Sequence, residues 1–317
     1  PKGWEPRAEN GRFKILTPKP RPVDSFKSTK ITVGPELSRS RNNGLILAAM
    51  RKMSSKANQI LAPRFGQHLG YVLNSEYPKA GGTWFGKMAA EIMQLPYPEH
   101  NAFPTGCPCV LHNHWNWSPR LPRGFYLTRD GRDVMVSLYF HRVRELTANN
   151  PVAERRFGKR YDKLFRKGWD PNDSIKNLRP FIQDEFDRPR DSRQNWRDHV
   201  MNWHDGGRGR KNVIYLKYEE LLSDPQATVT RVVTEMTGQT PDPWVVNQTV
   251  EKYDMKRQTG GRAAGVEDRS SFIRKGVAGD WVNHFSDESA ELMHELAGDA
   301  ILSLGYEKDP QWWRNRT

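Results

Sequence analysis

Two cysteines, Cys107 and Cys109, are all that the 317-residue sequence offers. Separated by one proline, they are too close for a useful disulfide staple. Two thiolates at that spacing make no zinc site without partners. So sparse a thiol content fits a reducing compartment, and a cytoplasmic location is expected. No apolar run approaches the ~20 residues needed to cross a bilayer, the longest being short stretches such as 45–50. Residues 1–21 are polar and basic with no apolar centre, so no secretory leader is expected there. No acidic cluster suited to magnesium is visible, and no metal is expected. Negative charge is itself scarce: 37 Asp and Glu face 50 Lys and Arg, a formal net charge of +13. Such a balance suits nucleic acid, an anionic membrane surface or anionic small molecules, and does not decide among them.

What is present is aromatic weight. Hydrophobic residues are only 36 % of the chain, but 11 Trp, 13 Phe and 10 Tyr supply ample area for a core. Residues 1–35 are rich in proline and basic side chains without a sustained period, and read as an extended basic arm. The remainder, 36–317, reads as a single domain. A helix is expected over 37–62. From residue 70 the pattern becomes strand (70–76), glycine turn (79–82) and helix (83–93). Further strands are expected at 109–114, 124–128 and 212–217, with a helix over 132–143 after the third. Ser223-Asp224-Pro225 reads as a cap and first-turn proline for a helix to about Met236, with Gly238 closing it. Between 146 and 193 the pattern weakens and charges crowd in, and a helical excursion over the sheet edge is expected. Strands alternating with helices predict an α/β fold of three layers, a central parallel sheet flanked by helices, with P-loop-like nucleotide-binding topology. No repeat is visible, and the sequence sets no oligomeric state.

In such a sheet, ligands collect where strand ends meet helix starts. Tyr77-Pro78-Lys79-Ala80-Gly81-Gly82-Thr83-Trp84 occupies one such junction. Two glycines let successive N–H groups turn inward, the helix behind adds a positive dipole end, Lys79 adds a charge and Thr83 a hydroxyl. That composition makes a phosphate cradle, although an ordinary strand-to-helix turn can carry the same glycines. Gly81 to Lys87 also spells most of a nucleotide triphosphatase loop, but Met88 stands where that motif needs Ser or Thr for magnesium. The third strand ends in Thr128-Arg129-Asp130-Gly131-Arg132-Asp133, with Ser137 two turns into the next helix. Arg129 there either forks onto a phosphate or pairs with neighbouring acids. Ser271-Phe272-Ile273-Arg274-Lys275-Gly276, with Gly279-Asp280-Trp281 after it, reads on its own as a basic surface turn, or as a loop that closes on an anion.

Taken in order, these segments resemble the sulfotransferase family whose donor is 3′-phosphoadenosine-5′-phosphosulfate (PAPS) and whose nucleotide product is the bisphosphate PAP. The resemblance runs from about Gly70 to the C-terminus, and the 260–268 stretch looks more like bacterial members than animal ones. The 77–84 segment resembles the family's Y-P-K-S-G-T-T-W loop, which implies that Lys79, Ala80, Gly81, Gly82, Thr83 and Trp84 hold the 5′-phosphosulfate. It departs at Ala80, for a serine credited with restraining the lysine, and at Gly82, for a threonine. Arg129 and Ser137 match R-D-P-R-D-x-x-x-S, implying 3′-phosphate contacts, and Arg274, Lys275 and Gly276 match R-K-G-x-x-G-D-W, which closes on the same phosphate. Tyr218 in Tyr218-Glu219-Glu220-Leu221 matches a tyrosine near the adenine. Val110-Leu111-His112-Asn113-His114 aligns with the family's K-T-H triplet, implying His114 as general base, with His112 the next choice, and Lys79 as a second catalytic residue. The segment 249–256 matches only loosely and receives no role.

The resemblance implies an enzyme that moves a sulfuryl group to an acceptor hydroxyl by in-line displacement. Its partner is expected to be a small-molecule or lipid hydroxyl acceptor, with possible peripheral membrane contact and no nucleic acid. The acceptor pocket is expected among 96–105, 115–120 and 146–193, with Trp115 and Trp117 either lining it or sitting in the core. A P-loop kinase using ATP and magnesium, and a basic nucleic-acid-binding protein, are the alternatives. Met88 weighs against the first, and the lack of any known binding module against the second.

Overall fold

The computed structural model describes residues 41–98, 106–148 and 150–314, with side chains from residue 49 onward. The arm expected over 1–35 and the start of the first helix at 37–40 lie outside the described residues. Four strands form one sheet: β1 (Tyr71–Glu76), β2 (Cys109–Asn113), β3 (Gly124–Thr128) and β4 (Val213–Lys217). Their order is β2-β1-β3-β4 and every pairing is parallel. Parallel neighbours need crossovers, and helices supply them on both faces. Alternating side chains divide accordingly. Tyr71, Leu73, Leu111 and Tyr126 enter one cluster, while Val72, Val110, Phe125, Leu127, Ile214 and Leu216 enter the other. The result is the three-layer α/β arrangement that the alternation of strands and helices predicts.

Helix α1 (Arg41–Phe65) precedes the sheet, α2 (Gly82–Ile92) follows β1, and α3 (Gly131–Thr147) follows β3. Phe85, Met88 and Ala89 of α2 fill one cluster; Val134, Met135, Leu138 and Tyr139 of α3 fill the other. Element boundaries shift by a few residues from expectation. α1 runs through Pro63 to Phe65, past the expected stop at Ala62. In a last turn the proline removes one N–H, and the Arg64 guanidinium donates to Ile60 O at 3.0 Å. α3 continues to Thr147, where Thr147 Oγ1 bonds Val143 O at 3.0 Å. The helix Pro225–Thr237 is capped by Asp224, which accepts from Ala227 N at 2.9 Å, and ends at left-handed Gly238. The excursion between 146 and 193 is helical, with a π-helical turn at Glu154–Gly158 ahead of helices Lys159–Phe165 and Ser174–Asp187. Both cysteines are free thiols, and burial pushes the Cys109 thiol up to about 12.

Because the strands are parallel, Glu76, Asn113, Thr128 and Lys217 end along one edge of the sheet. The segments carrying the chemistry leave from that edge. β3 sits tight against β1 at Gly124, where a Cβ would lie 2.5 Å from Leu73 Cβ and 2.6 Å from Leu73 O. Backbone cannot yield as a side-chain tip can, so Gly124→Ala is expected to destabilise the fold by about 1–3 kcal/mol, measured as a lower denaturant midpoint.

Candidate active site

The loop between β1 and α2 is built on unusual backbone. Lys79 has φ 73 and Gly81 φ 108. A lysine in the left-handed region stores strain, which commonly accompanies a ligand-binding turn. Gly81 is also fixed by packing, since a Cβ there would sit 2.7 Å from Tyr218 Cδ2. Loop and Tyr218 are thus mutually fitted, and Trp84 meets the same tyrosine edge-on, with ring centroids 6.0 Å apart. The first N–H groups of α2 have no partner inside the helix. One of them is already engaged: Gly82 N–H donates to the buried carboxylate of Glu76. A side chain at Gly82 would strike that carboxyl, so the Gly82 departure and Glu76 occupy the same space. The Lys79 ammonium lies 4.3 Å from the centre of the Phe272 ring. Burial, with Arg144 and Arg129 adding repulsion against the attraction of Glu76, lowers its pKa to about 8.

Arg129 leaves the end of β3 and stacks 4.3 Å over the Tyr218 ring. It donates to Val277 O at 3.1 Å and Lys79 O at 3.3 Å, and faces Asp133 at 3.6 Å. Its Nε is buried without a hydrogen-bond partner. Asp133 accepts from Gly279 N (2.7 Å) and Trp281 N (2.9 Å), so α3 holds the C-terminal loop directly. Arg132 adds a second tie: it pairs with Asp130 and Glu307 and lies between the Trp281 and Trp312 rings, 4.0 and 4.5 Å from their centres. In that loop Arg274 bonds Asp280 at 2.5 Å and also Glu267, and Lys275 bonds Asp280 at 2.5 Å. These cations and His284 hold the Asp280 carboxyl far below the usual carboxylate range. Gly276, φ 66, turns against Met255, whose sulfur would collide with any Cβ.

His114 follows β2. Its Nδ1 lies 3.0 Å from Glu76 O. A carbonyl only accepts, so Nδ1 carries the proton and Nε2 keeps its lone pair. Burial, then neighbouring His112, lowers the His114 pKa, with Glu76 opposing. His112 turns its Nε2 to Glu76 Oε1 at 2.8 Å. Among the described residues, Glu76, His112 and His114 are one group of three metal-capable side chains, their ligand atoms within 4.8 Å of one another. Sequence reading, which looked for acidic clusters, did not find it.

A cavity of about 1170 Å³ unites these segments. Lys79, Gly81, Gly82, Thr83, Trp84, His112, His114, Arg129, Ser137, Tyr218, Arg274, Lys275 and Gly276 all line it. Ala80 does not: it is buried, and its N–H closes the turn onto Tyr77 O at 3.1 Å. Trp115 lines the cavity, whereas Trp117 packs against Gly206. Of the expected acceptor segments, 99–105 lies outside the described residues. Sequence reasoning missed Glu76, which has no periodic signature, and Tyr253 and Met255, which also line the cavity. A signal for these two existed in the loosely matched 249–256 stretch. The triphosphatase-like spelling has a packing explanation. A Cβ on Gly86 would meet Asn74 Nδ2 at 2.2 Å, and Met88 is fully buried. No helix among the described residues is long and apolar enough to cross a membrane.

A family model described as "Sulfotransferase domain" matches residues 112–304, beginning after the β1–α2 loop. Human sulfotransferase 2A1 is 26 % identical over 273 residues, covering 74 % of this chain and 85 % of the relative. Rat sulfotransferase 2B1 is 27 % identical over 188 residues, 56 % of this chain, and there the chain spans about half of the relative's length, 47 %. The fold is similar to mouse sulfotransferase SULT7A1 complexed with PAP, with TM-score 0.52, 18 % identity, and coverage of 83 % of this chain and 94 % of that one. With more than half of its length matched, the chain belongs to the sulfotransferase family.

Proposed function

We propose that this cavity transfers the sulfuryl group of PAPS to the hydroxyl of a small molecule or lipid, with His114 as general base. The observation that carries the reading is the convergence of the 77–84 loop, Arg129 with Ser137, the 274–276 loop and His114 on one cavity. Lys79 and the first turn of α2 take the 5′-phosphosulfate; Arg129, Ser137 and Arg274 take the 3′-phosphate; Tyr218 and Trp84 border the adenine. In the reaction the acceptor oxygen forms a bond to sulfur while sulfur parts from the oxygen bridging it to phosphorus. The acceptor's proton goes to His114 Nε2, and PAP departs. Lys79 neutralises charge gathering on the bridging oxygen, and fixed donors stabilise the equatorial oxygens, as in phosphoryl transfer. His112 suits the base role less well, because its Nε2 is committed to Glu76.

His114→Ala is expected to bind PAP as the parent chain does and to lose about 10²–10⁴-fold in turnover, read by calorimetry and by release of PAP. Undiminished turnover in that variant moves the base elsewhere.

The pH profile of kcat/KM should be a bell. Its acid limb reports His114: the base works when neutral, and its lowered pKa places the plateau's onset below the ordinary histidine value of about 6.5. The alkaline limb reports Lys79, which works when charged and loses its proton near pH 8 in the free enzyme. Lys79→Arg should carry that limb beyond the measurable range; an unmoved limb assigns it to another group.

Arg129→Ala should weaken PAP but leave binding of the analogue lacking the 3′-phosphate nearly unchanged, removing about 10- to 100-fold of the preference between them. A preference intact in that variant places the 3′-phosphate elsewhere.

A further inference from the structure

Arginines outside the donor-binding set gather on the wall formed by the 188–193 segment and the π-helical turn. Arg156, Arg190 and Arg193 line the cavity there, with Asp191 the acid among them. Asp191 is already engaged by Arg142 at 3.1 Å and by Arg156 at 3.3 Å. Behind the wall, Arg142 pairs with Glu185 at 3.0 Å, and Arg160 pairs with Asp184. Arg190 stands no nearer than 3.8 Å to Asp184 and 3.9 Å to Glu185, and Arg193 has no carboxylate partner among the described residues. Acids therefore fall short of arginines in this group, and the unneutralised charge is on the cavity side. The phosphates of the donor do not account for it, because Lys79, Arg129 and Arg274 belong to other walls. This wall lies near the chemistry: the charge of Asp191 bears on both His114 and Lys79.

We infer that the acceptor is itself anionic, a hydroxyl compound bearing a carboxylate or phosphate monoester, and that Arg156, Arg190 and Arg193 form its anion subsite. The inference rests on the sulfotransferase reading above and narrows its acceptor. A bound anion completes the charge balance of the wall, and guanidinium forks give it orientation as well as attraction. Orientation is what a transfer needs, since the hydroxyl must reach His114 Nε2 in line with the departing oxygen. A neutral acceptor leaves Arg193 without a carboxylate among the described residues and Arg190 with none nearer than 3.8 Å.

The test is turnover of PAPS with matched hydroxyl compounds, read by mass spectrometry as gain of one sulfuryl unit. The probes are 4-hydroxyphenylacetate with its neutral amide, glucuronate with glucose, and glucose 6-phosphate with glucose. The anionic members should exceed their neutral partners by about 10- to 100-fold in kcat/KM. Comparing the carboxylate pairs with the phosphate pair tells which group the subsite takes. Both Arg156 and Arg193 are exposed enough to be changed without loss of fold. Arg156→Ala/Arg193→Ala should erase the preference in kcat/KM while leaving PAP affinity unaltered. Equal or better use of the neutral members overturns the inference, as does a preference that survives in the double variant. PAP binding without turnover of any anionic member also overturns it while leaving the donor site standing. Failure to bind PAP at all is the separate failure of the sulfotransferase reading.

Discussion

Asp133 is the constraint on which the site depends. Placed in the first turn of α3, it accepts the N–H groups of Gly279 and Trp281 and stands beside Arg129. One buried carboxylate thus sets the position of a loop nearly 150 residues away in sequence and the direction of the arginine at the end of β3. Its neighbours divide the remaining work. Asp130 caps α3 and grips Arg132, and Arg132 lies between two indoles. Arg129 and Ser137 are left for the cavity. The run from Arg129 to Ser137 therefore both lines the cavity and serves as a joint, and the joint is what brings Arg274 and Lys275 to the same cavity.

Charge is arranged as well as abundant. Around the Arg129 and 274–276 segments nearly every cation has a protein anion against it: Arg129 has Asp133, Arg274 has Glu267 and Asp280, and Lys275 has Asp280. These pairs are partly or wholly enclosed, so the acids offset the repulsion among the cations. Lys79 is the exception. It rests over an aromatic ring in strained backbone, with its ammonium destabilised by burial and by Arg144. A cation so poorly satisfied has most to gain from an anionic partner.

Much of this could be read from residues alone, for identifiable reasons. The strand, glycine turn and helix at 70–93 have short periods and local signals, so their order and the parallel sheet follow directly. The loops match because backbone geometry demands their glycines: Gly81 and Gly276 have no room for a side chain against Tyr218 and Met255. Glu76 was hidden because its role arises from a contact with Gly82 across a folded loop and with His112 on the next strand. No spacing rule encodes either. The arginine wall was hidden for another reason. It draws on the 188–193 segment and the π-helical turn, where charges are dense and spacing does not tell which arginines face the cavity, although the helix Ser174–Asp187 beside them carries a plain apolar stripe of Leu178, Phe181, Ile182 and Phe186. Ala80 misled because matching a motif position says nothing about which way its N–H points.

The Glu76 carboxylate on the Gly82 N–H means that the β1–α2 turn encloses a negative charge supplied by the chain itself. The turn is thereby fastened to the end of the strand that it leaves. His112, on the neighbouring strand, holds the other oxygen of that carboxylate, so one acid ties two strand ends to the first turn of α2.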